Sequence, residues 1–191
     1  MFTRGVELPN SAVANKTHPD VVVDVHKDYI AAGSEMIETN TFVASDLHLA
    51  MADAGDTSSV ELAKLGACHA RRAADESDRE VYVAGSLGPS PGAIEADAGD
   101  TEFGIADTLV RDAHLRVAEA LVEGGVDLFL AETMFSAREA AIAIDVARQF
   151  GLPIGVSLTY KFTQDRKTGE IVYKTDWGHS PSSAVDILAS G

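Results

Sequence analysis

Four stretches of the sequence run from apolar residues into polar ones that could do chemistry. "VDLFLAETM" carries Val126, Leu128, Phe129, Leu130 and Ala131 into Glu132 and Thr133. "EMIETNTF" carries Met36 and Ile37 into Glu38, Thr39, Asn40 and Thr41. "VYVAGSLGP" leads from Val81 and Val83 to Ser86, and "PIGVSLTY" from Ile154 and Val156 to Ser157 and Thr159. Glu132 is the sharpest of these. A carboxylate ending an otherwise apolar strand is expensive to bury without a partner; a substrate ammonium would serve, and so would a structural Arg. Glu38 is followed by more polar residues, a pattern that favours a salt bridge. Asn40 and Thr41 offer both donors and acceptors to a small polar ligand.

Other chemistries are poorly served. "GSLGP", Gly85 to Pro89, exposes backbone but lacks the lysine and the spacing of a phosphate-binding P-loop. Ser86 and Ser157 stand in no G-x-S-x-G elbow, which argues against a serine hydrolase. The six histidines (His18, His26, His48, His69, His114 and His179) show no metal-ligand spacing and read mostly as helix-surface residues. Cys68, the single cysteine, lies among alanines and reads as a small core residue. It excludes an internal disulfide and a thiolate metal cluster.

The elements that must position these residues alternate along the chain. "HPDVVVDVHKDYIAAG" reads as a helix, with Pro19 in its first turn, Val22, Val25 and Tyr29 on one face and Gly33 at its end. A strand follows at about 35–39. The next helix spans about 58–75, with a small-residue stripe of Ala63, Ala67, Ala70 and Ala74. A strand at 81–85 leads into a Gly-, Asp- and Pro-rich loop. A helix over about 105–123 then places Val110, Ala113, Val117 and Leu121 together and ends at Gly124–Gly125. "VDLFLAETM" is the third strand. "SARE" at 136–139 forms a capping box for the helix after it, which Gly151 and Pro153 close. A fourth strand spans 154–158. Residues 160–177 read as an inserted β-hairpin turning near 167–170, and a last helix opens at Ser180–Pro181.

Successive β-α units imply an α/β fold with a parallel sheet. In such folds ligands bind at the carboxyl ends of the strands, which is where Glu132, Asn40, Ser86 and Thr159 fall. Any one of these groups could instead cap a helix or pair with loop backbone. Four together favour a site.

Composition narrows the partners. Thirty acidic residues face fifteen basic ones, a formal net charge of −15, and such a surface repels phosphate backbones. Adaptation to high salt and ordinary acidity both remain open as its origin. No apolar run is long enough to cross a bilayer, and the first residues hold no signal-peptide core. The expectation is a cytoplasmic protein that binds neither nucleic acid nor membrane. Its 191 residues suit one domain, or part of a larger one.

Taken together, "HKDYIAAGSEMIETNTF", "VAGSLGP", "VEGGVDLFLAETM" and "GLPIGVSLT" resemble the homocysteine S-methyltransferase family over nearly the whole chain. "ETNTF" and "GVDL…ET" are the specific parts. The resemblance implies a (β/α)₈ barrel that moves a methyl group onto the sulfur of homocysteine, so homocysteine and a methyl donor are the expected small-molecule partners. It assigns Glu132 to the homocysteine amino group, Asn40 and Thr41 to a strand lining the pocket, and Ser86 to the next strand's loop. It also implies zinc, held by three cysteines, to coordinate and deprotonate the thiol.

The sequence departs from that pattern in two places. The three zinc cysteines are absent, the first being expected just after Gly191, and the family's opening strand with its Asp-Gly pair is not seen before "MFTRGVELPN". The chain therefore matches strands two to five of eight, a single partial homocysteine-binding barrel domain over 1–191 that binds no zinc by itself. A half-barrel would expose two strand edges. The expectation is an enzyme half inactive alone. The alternative is a non-catalytic remnant that pairs with another copy or a complementary chain. An unrelated phosphate-binding barrel would instead show anion binding at Gly85 to Pro89.

Overall fold

The structure, a computed structural model, describes residues 4–52, 54 and 57–190. Expectations about segments preceding Met1 or following Gly191 fall outside the described residues. A short 3₁₀ turn, Ser11–Val13, leads into α1 (Ala14–Thr17) and α2 (Pro19–Ala31). Then come β1 (Met36–Glu38), α3 (Asp46–Met51), α4 (Ser59–Asp75), β2 (Tyr82–Leu87), α5 (Glu95–Ala98), α6 (Asp107–Glu123) and β3 (Leu128–Met134). α7 (Ala137–Ala147), β4 (Ile154–Leu158), β5 (Lys161–Gln164), β6 (Ile171–Lys174) and α8 (Pro181–Ala189) complete the chain.

β1 to β4 form one parallel sheet in chain order, and β5 pairs antiparallel with β6 in a separate hairpin. Consecutive parallel neighbours joined by helices are what a (β/α)₈ barrel places side by side. The α/β fold class expected from the sequence is the one observed. One face of the sheet carries Ile37, Val83, Phe129 and Ala131, all 4% exposed or less, against the helices. The registers Glu38↔Ala84, Ser86↔Leu130 and Ala131↔Val156 put Met36, Glu38, Tyr82, Ser86, Leu130 and Glu132 on the other face.

Small residues set how closely the helical layer packs. Ala63, Ala67, Ala70 and Ala74 of α4 are buried, as their spacing predicts. A Cβ added at Gly124 would lie 2.4 Å from the Ala67 Cβ, so the end of α6 touches α4 without room for a side chain. Cys68, on the same helix, is a correction: it is exposed. Its neighbours Ala67 and Gly66 take the buried face, and a helix turns each successive residue by about 100°.

Two elements lacked a readable signal. α3 is six residues long, too short to show periodicity, and Ser45 caps it. The loop after β2 contains α5 and a single parallel bridge, Ile94↔Ile105. In the capping box at Ser136 the hydroxyl accepts from the amides of Arg138 and Glu139 as expected. The Glu139 carboxylate does not close the box. It accepts instead from the Ser90 amide at 2.6 Å and lies 3.2 Å from His114 Nε2.

Candidate functional site

β3 is built to deliver one carboxylate. Ala131 pairs with Val156 and Met134 with Leu158, so three steps on β3 match two on β4. This bulge leaves Thr133 at φ 57°, the one described non-glycine residue with positive φ. A β-branched residue in that region is strained, and bulges of this kind re-aim side chains near sites. The Thr133 amide, displaced from the ladder, donates to Ser157 Oγ at 3.0 Å. Glu132, just before it, is half-buried.

Ser86 donates its hydroxyl to Glu132 Oε1 in a short hydrogen bond. Ser86 is held in turn: its amide donates to Thr39 Oγ at 3.0 Å, and its carbonyl accepts from the Thr41 hydroxyl at 2.7 Å. With the Thr41 hydrogen used there, the Thr39 hydroxyl donates to Thr41 Oγ at 2.6 Å. Thr39, Thr41 and Ser86 are all 4% exposed or less. They form a buried brace that ties the tip of β1 to β2 and fixes Ser86 beneath Glu132.

Glu132 opens on a cleft of about 540 Å³. β1 and its exit contribute Met36, Ile37, Glu38, Thr39, Asn40 and Phe42; α2 contributes Val22, Val25, His26 and Tyr29. Among the described residues Glu132 has no ion-pair partner, and no Lys or Arg lines the cleft. Glu38, read from the sequence as a salt-bridge residue, has no cationic partner among the described residues either. It reaches Glu132 instead, and burial, then the neighbouring Glu132 charge and the hydrogen bond between the two carboxyls, raise its pKa.

Of the four residues singled out in the sequence, Glu132 and Asn40 line this cleft, while Thr41 and Ser86 lie beneath it. Asn40 spends its side chain on the chain itself: Nδ2 donates to the Ser11 carbonyl and to Asn15 Oδ1, each at 2.9 Å. A Cβ at Gly88 would lie 2.2 Å from the Phe42 carbonyl oxygen, so the glycine lets the "GSLGP" loop close over the β1 exit.

His26 and His114 depart from the expectation that most of the histidines sit on helix surfaces. They are 6% and 5% exposed. His26 also lines the cleft, and its Nε2 has no hydrogen-bond partner among the described residues. Burial, with His69 nearby, lowers its pKa to about 4. The signal for His26 was its position four residues after Val22, on the face already marked apolar. Glu38 was harder to find, because only the fold places it in the same cleft as Glu132.

The residues present do not fit the three-thiolate zinc centre that the resemblance implies. The chain has one cysteine, exposed on α4, and no group of three or more His, Cys, Asp or Glu among the described residues could hold a metal ion. No helix among them is long and apolar enough to cross a membrane.

Comparison with known proteins gives consistent results. A family model described as homocysteine S-methyltransferase matches residues 3–187. Methionine synthase from Mycobacterium tuberculosis (strain ATCC 25618 / H37Rv) is 38% identical over 133 residues, 68% of this chain and 10% of that protein. Methionine synthase from Mycobacterium leprae (strain TN) matches with the same identity and coverage. The chain thus spans a tenth of the length of these curated relatives. Among solved structures, the metallated form of the Escherichia coli homocysteine methyltransferase MmuM superposes with a TM-score of 0.70 at 22% identity, over 98% of this chain and 66% of that one. Its apo form gives 0.68 over 98% and 63%. At this identity the likeness speaks for the fold.

Proposed function

The chain belongs to the homocysteine S-methyltransferase family, and we propose that it holds homocysteine for methyl transfer to its sulfur, with Glu132 anchoring the amino group. The observation that carries this reading is the Glu132 carboxylate itself. It is aimed by a strained bulge, braced by Ser86, turned into a cleft and met by no cation among the described residues. A half-buried carboxylate so placed supplies what an ammonium ion needs: a charge and a directed acceptor in partly excluded water. Ser86 and Thr41 act through Glu132 by fixing its position, and Asn40 shapes the cleft wall while holding the N-terminal segment. The domain on this reading is a partial homocysteine-binding barrel spanning 1–191, with the β5–β6 hairpin as an insertion, in a cytoplasmic protein.

Binding and transfer are separable here. In the family pattern the thiol is activated by zinc on cysteines, and this chain's donors do not make that centre. The 191-residue chain is therefore proposed to bind homocysteine without turning it over. Calorimetric titration of L-homocysteine into wild type and Glu132→Gln tests the binding. The expected result is saturable binding by wild type that weakens at least tenfold in the variant, the loss of about 1.4 kcal/mol or more that one charged contact supplies. Equal binding by the two proteins would remove Glu132 as the anchor. A methyl-transfer assay tests the second part, and sustained turnover by this chain would contradict it.

A second reading, a subunit that pairs with another copy or a complementary chain, is favoured by the uncovered sheet face. Met36 is 46% exposed and Tyr82 49% exposed on the side away from the helices. Mass measurement by light scattering distinguishes the two: a monomer at micromolar concentration speaks against self-pairing.

A further inference from the structure

We propose that the β5–β6 hairpin is an arm that packs on the uncovered sheet face of a second copy of this chain, each copy giving its arm to the other. The inference rests on the reading of the chain as one that pairs with its own kind, and it names the surfaces that meet.

The hairpin is tied down at both ends yet fully covered on neither side. At its tip, Asp165 Oδ1 accepts from the amides of Lys167 and Thr168 at 2.8 and 2.9 Å, and the Gln164 side chain donates to the Gly169 carbonyl at 2.8 Å. At its root, Lys161 pairs with Asp176 at 2.7 Å, and the hydroxyl of buried Thr175 accepts from the His179 amide. The register Phe162↔Tyr173 and Gln164↔Ile171 puts three large apolar side chains on one side. Phe162 is 74% exposed, Ile171 65% and Tyr173 56%. On the other side Lys161, Thr163 and Lys174 are exposed and Val172 is half-buried. A two-stranded hairpin alone is marginally stable in water, and contiguous exposed apolar side chains mark contact surfaces.

Charge selects the occupant. Residues 161–174 hold Lys161, Arg166, Lys167 and Lys174 against Asp165 and Glu170, a net charge of +2. The whole chain carries −15, which leaves −17 for the rest. A basic, aromatic arm finds its complement on an acidic surface with an apolar centre, and the chain itself presents one. On the side of the sheet away from the helices Met36 and Tyr82 are exposed, Glu38 shares their face, and exposed Glu80 stands two residues before Tyr82. Arg79, next to Glu80, turns its guanidinium to the carbonyls of Ile30, Gly33 and Ser34. Met36 and Tyr82 begin β1 and β2, so an arm laid there leaves Glu132, near the finish of β3, open to its ligand.

Two such acidic copies repel at long range, but that repulsion is screened beyond about 8 Å at physiological salt, while arm and face meet at contact. Exchange of two arms about a twofold axis doubles the contact and closes the assembly at two. Each arm brings a Phe and a Tyr, and such side chains bury about 150–250 Å² apiece. The four rings of two arms therefore approach the area of a small, reversible interface and not that of an obligate one.

The test is sedimentation equilibrium of the 191-residue chain at micromolar to submillimolar concentration and physiological salt. The expected result is a monomer–dimer equilibrium. Phe162→Ser with Tyr173→Ser, and separately Lys167→Glu with Lys174→Glu, should weaken it at least tenfold, and so should Tyr82→Lys on the receiving face. All of these positions are exposed, and the lysine variant keeps the Phe162↔Tyr173 pair, so its circular dichroism and Tm should match wild type. A dimer that the hairpin variants leave intact, or that Tyr82→Lys leaves intact, would overturn the arm exchange while pairing between copies stands. A wild-type chain that stays monomeric throughout would overturn both the exchange and the pairing on which it rests, and would leave the arm to an acidic partner of another kind.

Discussion

Asp127 and Glu132 bracket one buried strand and meet opposite fates: Arg71 holds Asp127 at 3.0 Å, while no cation among the described residues meets Glu132. The difference follows from strand direction. A parallel sheet sends the start of every strand to one end of the layer and the finish to the other, and the site gathers at the finish. At the start, Asp127 Oδ2 accepts from the Val83 amide at 2.7 Å, and Arg71 also reaches the Val81 carbonyl. This knot ties β2, β3 and α4 together.

Asp127→Asn should therefore lower stability and spare the cleft. Both partners are partly exposed, which reduces the ion pair's worth. A loss of about 1 kcal/mol is expected, a fall in Tm of roughly 2–4 °C for a chain of this length. Thermal melting followed by homocysteine titration checks it. Lost affinity with an unchanged Tm would reverse the roles assigned to the two acids.

Thr133 is expected to be a position where stability is given up for geometry. Glycine accepts a φ of 57° without steric penalty, so Thr133→Gly should raise stability by up to about 1 kcal/mol in denaturant unfolding. The same change frees Glu132, and homocysteine binding should weaken. A variant less stable than wild type would show that the Thr133 side chain carries more than the bulge's strain costs.

These acids also show how far the sequence could be read. Apolar runs ending in polar residues revealed the strands, their parallel arrangement and the end at which polar groups collect. They did not reveal which tips face outward. Thr41 and Ser86 look as available as Glu132 in the sequence, yet they are buried in the brace. Hydroxyls can satisfy one another and the backbone at short range, whereas a lone carboxylate cannot. Glu38 was misread because a pair across two strands leaves no local trace. His26 carried a signal, its place four residues after Val22 on the apolar face of α2, that a reading of the histidines as a group passed over.

Glu139 illustrates the same limit in a structural role. Three residues after a capping serine it matched a capping box, but a competing donor, the Ser90 amide, takes its carboxylate inside the core. Glu139→Ala should leave that amide and His114 unpaired among buried surroundings, a loss of about 2–3 kcal/mol. A fall of under 0.5 kcal/mol in denaturant unfolding would show that solvent or a neighbouring group replaces it.

His26 predicts the acid side of the stability profile. Its pKa is lowered from 6.5 to about 4 by burial and by His69, so the folded state prefers it neutral. A group depressed in this way contributes stability that is complete above pH 6.5 and is lost as pH falls towards 4. The full contribution is on the order of 3 kcal/mol. In His26→Leu the decline in Tm between pH 6.5 and 4.5 should shrink, as followed by circular dichroism. An identical decline in both proteins would place the acid sensitivity elsewhere.

The central claim is that the carboxylate at the end of β3 reads an amino group. The most direct measurement compares L-homocysteine with 4-mercaptobutanoate, which keeps the thiol and the carboxylate and lacks only the amine, in calorimetric titrations of the wild-type chain at neutral pH. Binding of homocysteine with at least a tenfold loss for the deamino compound is the predicted result. Equal affinity for the two would contradict the account, because a cleft that ignores the amine has no use for Glu132.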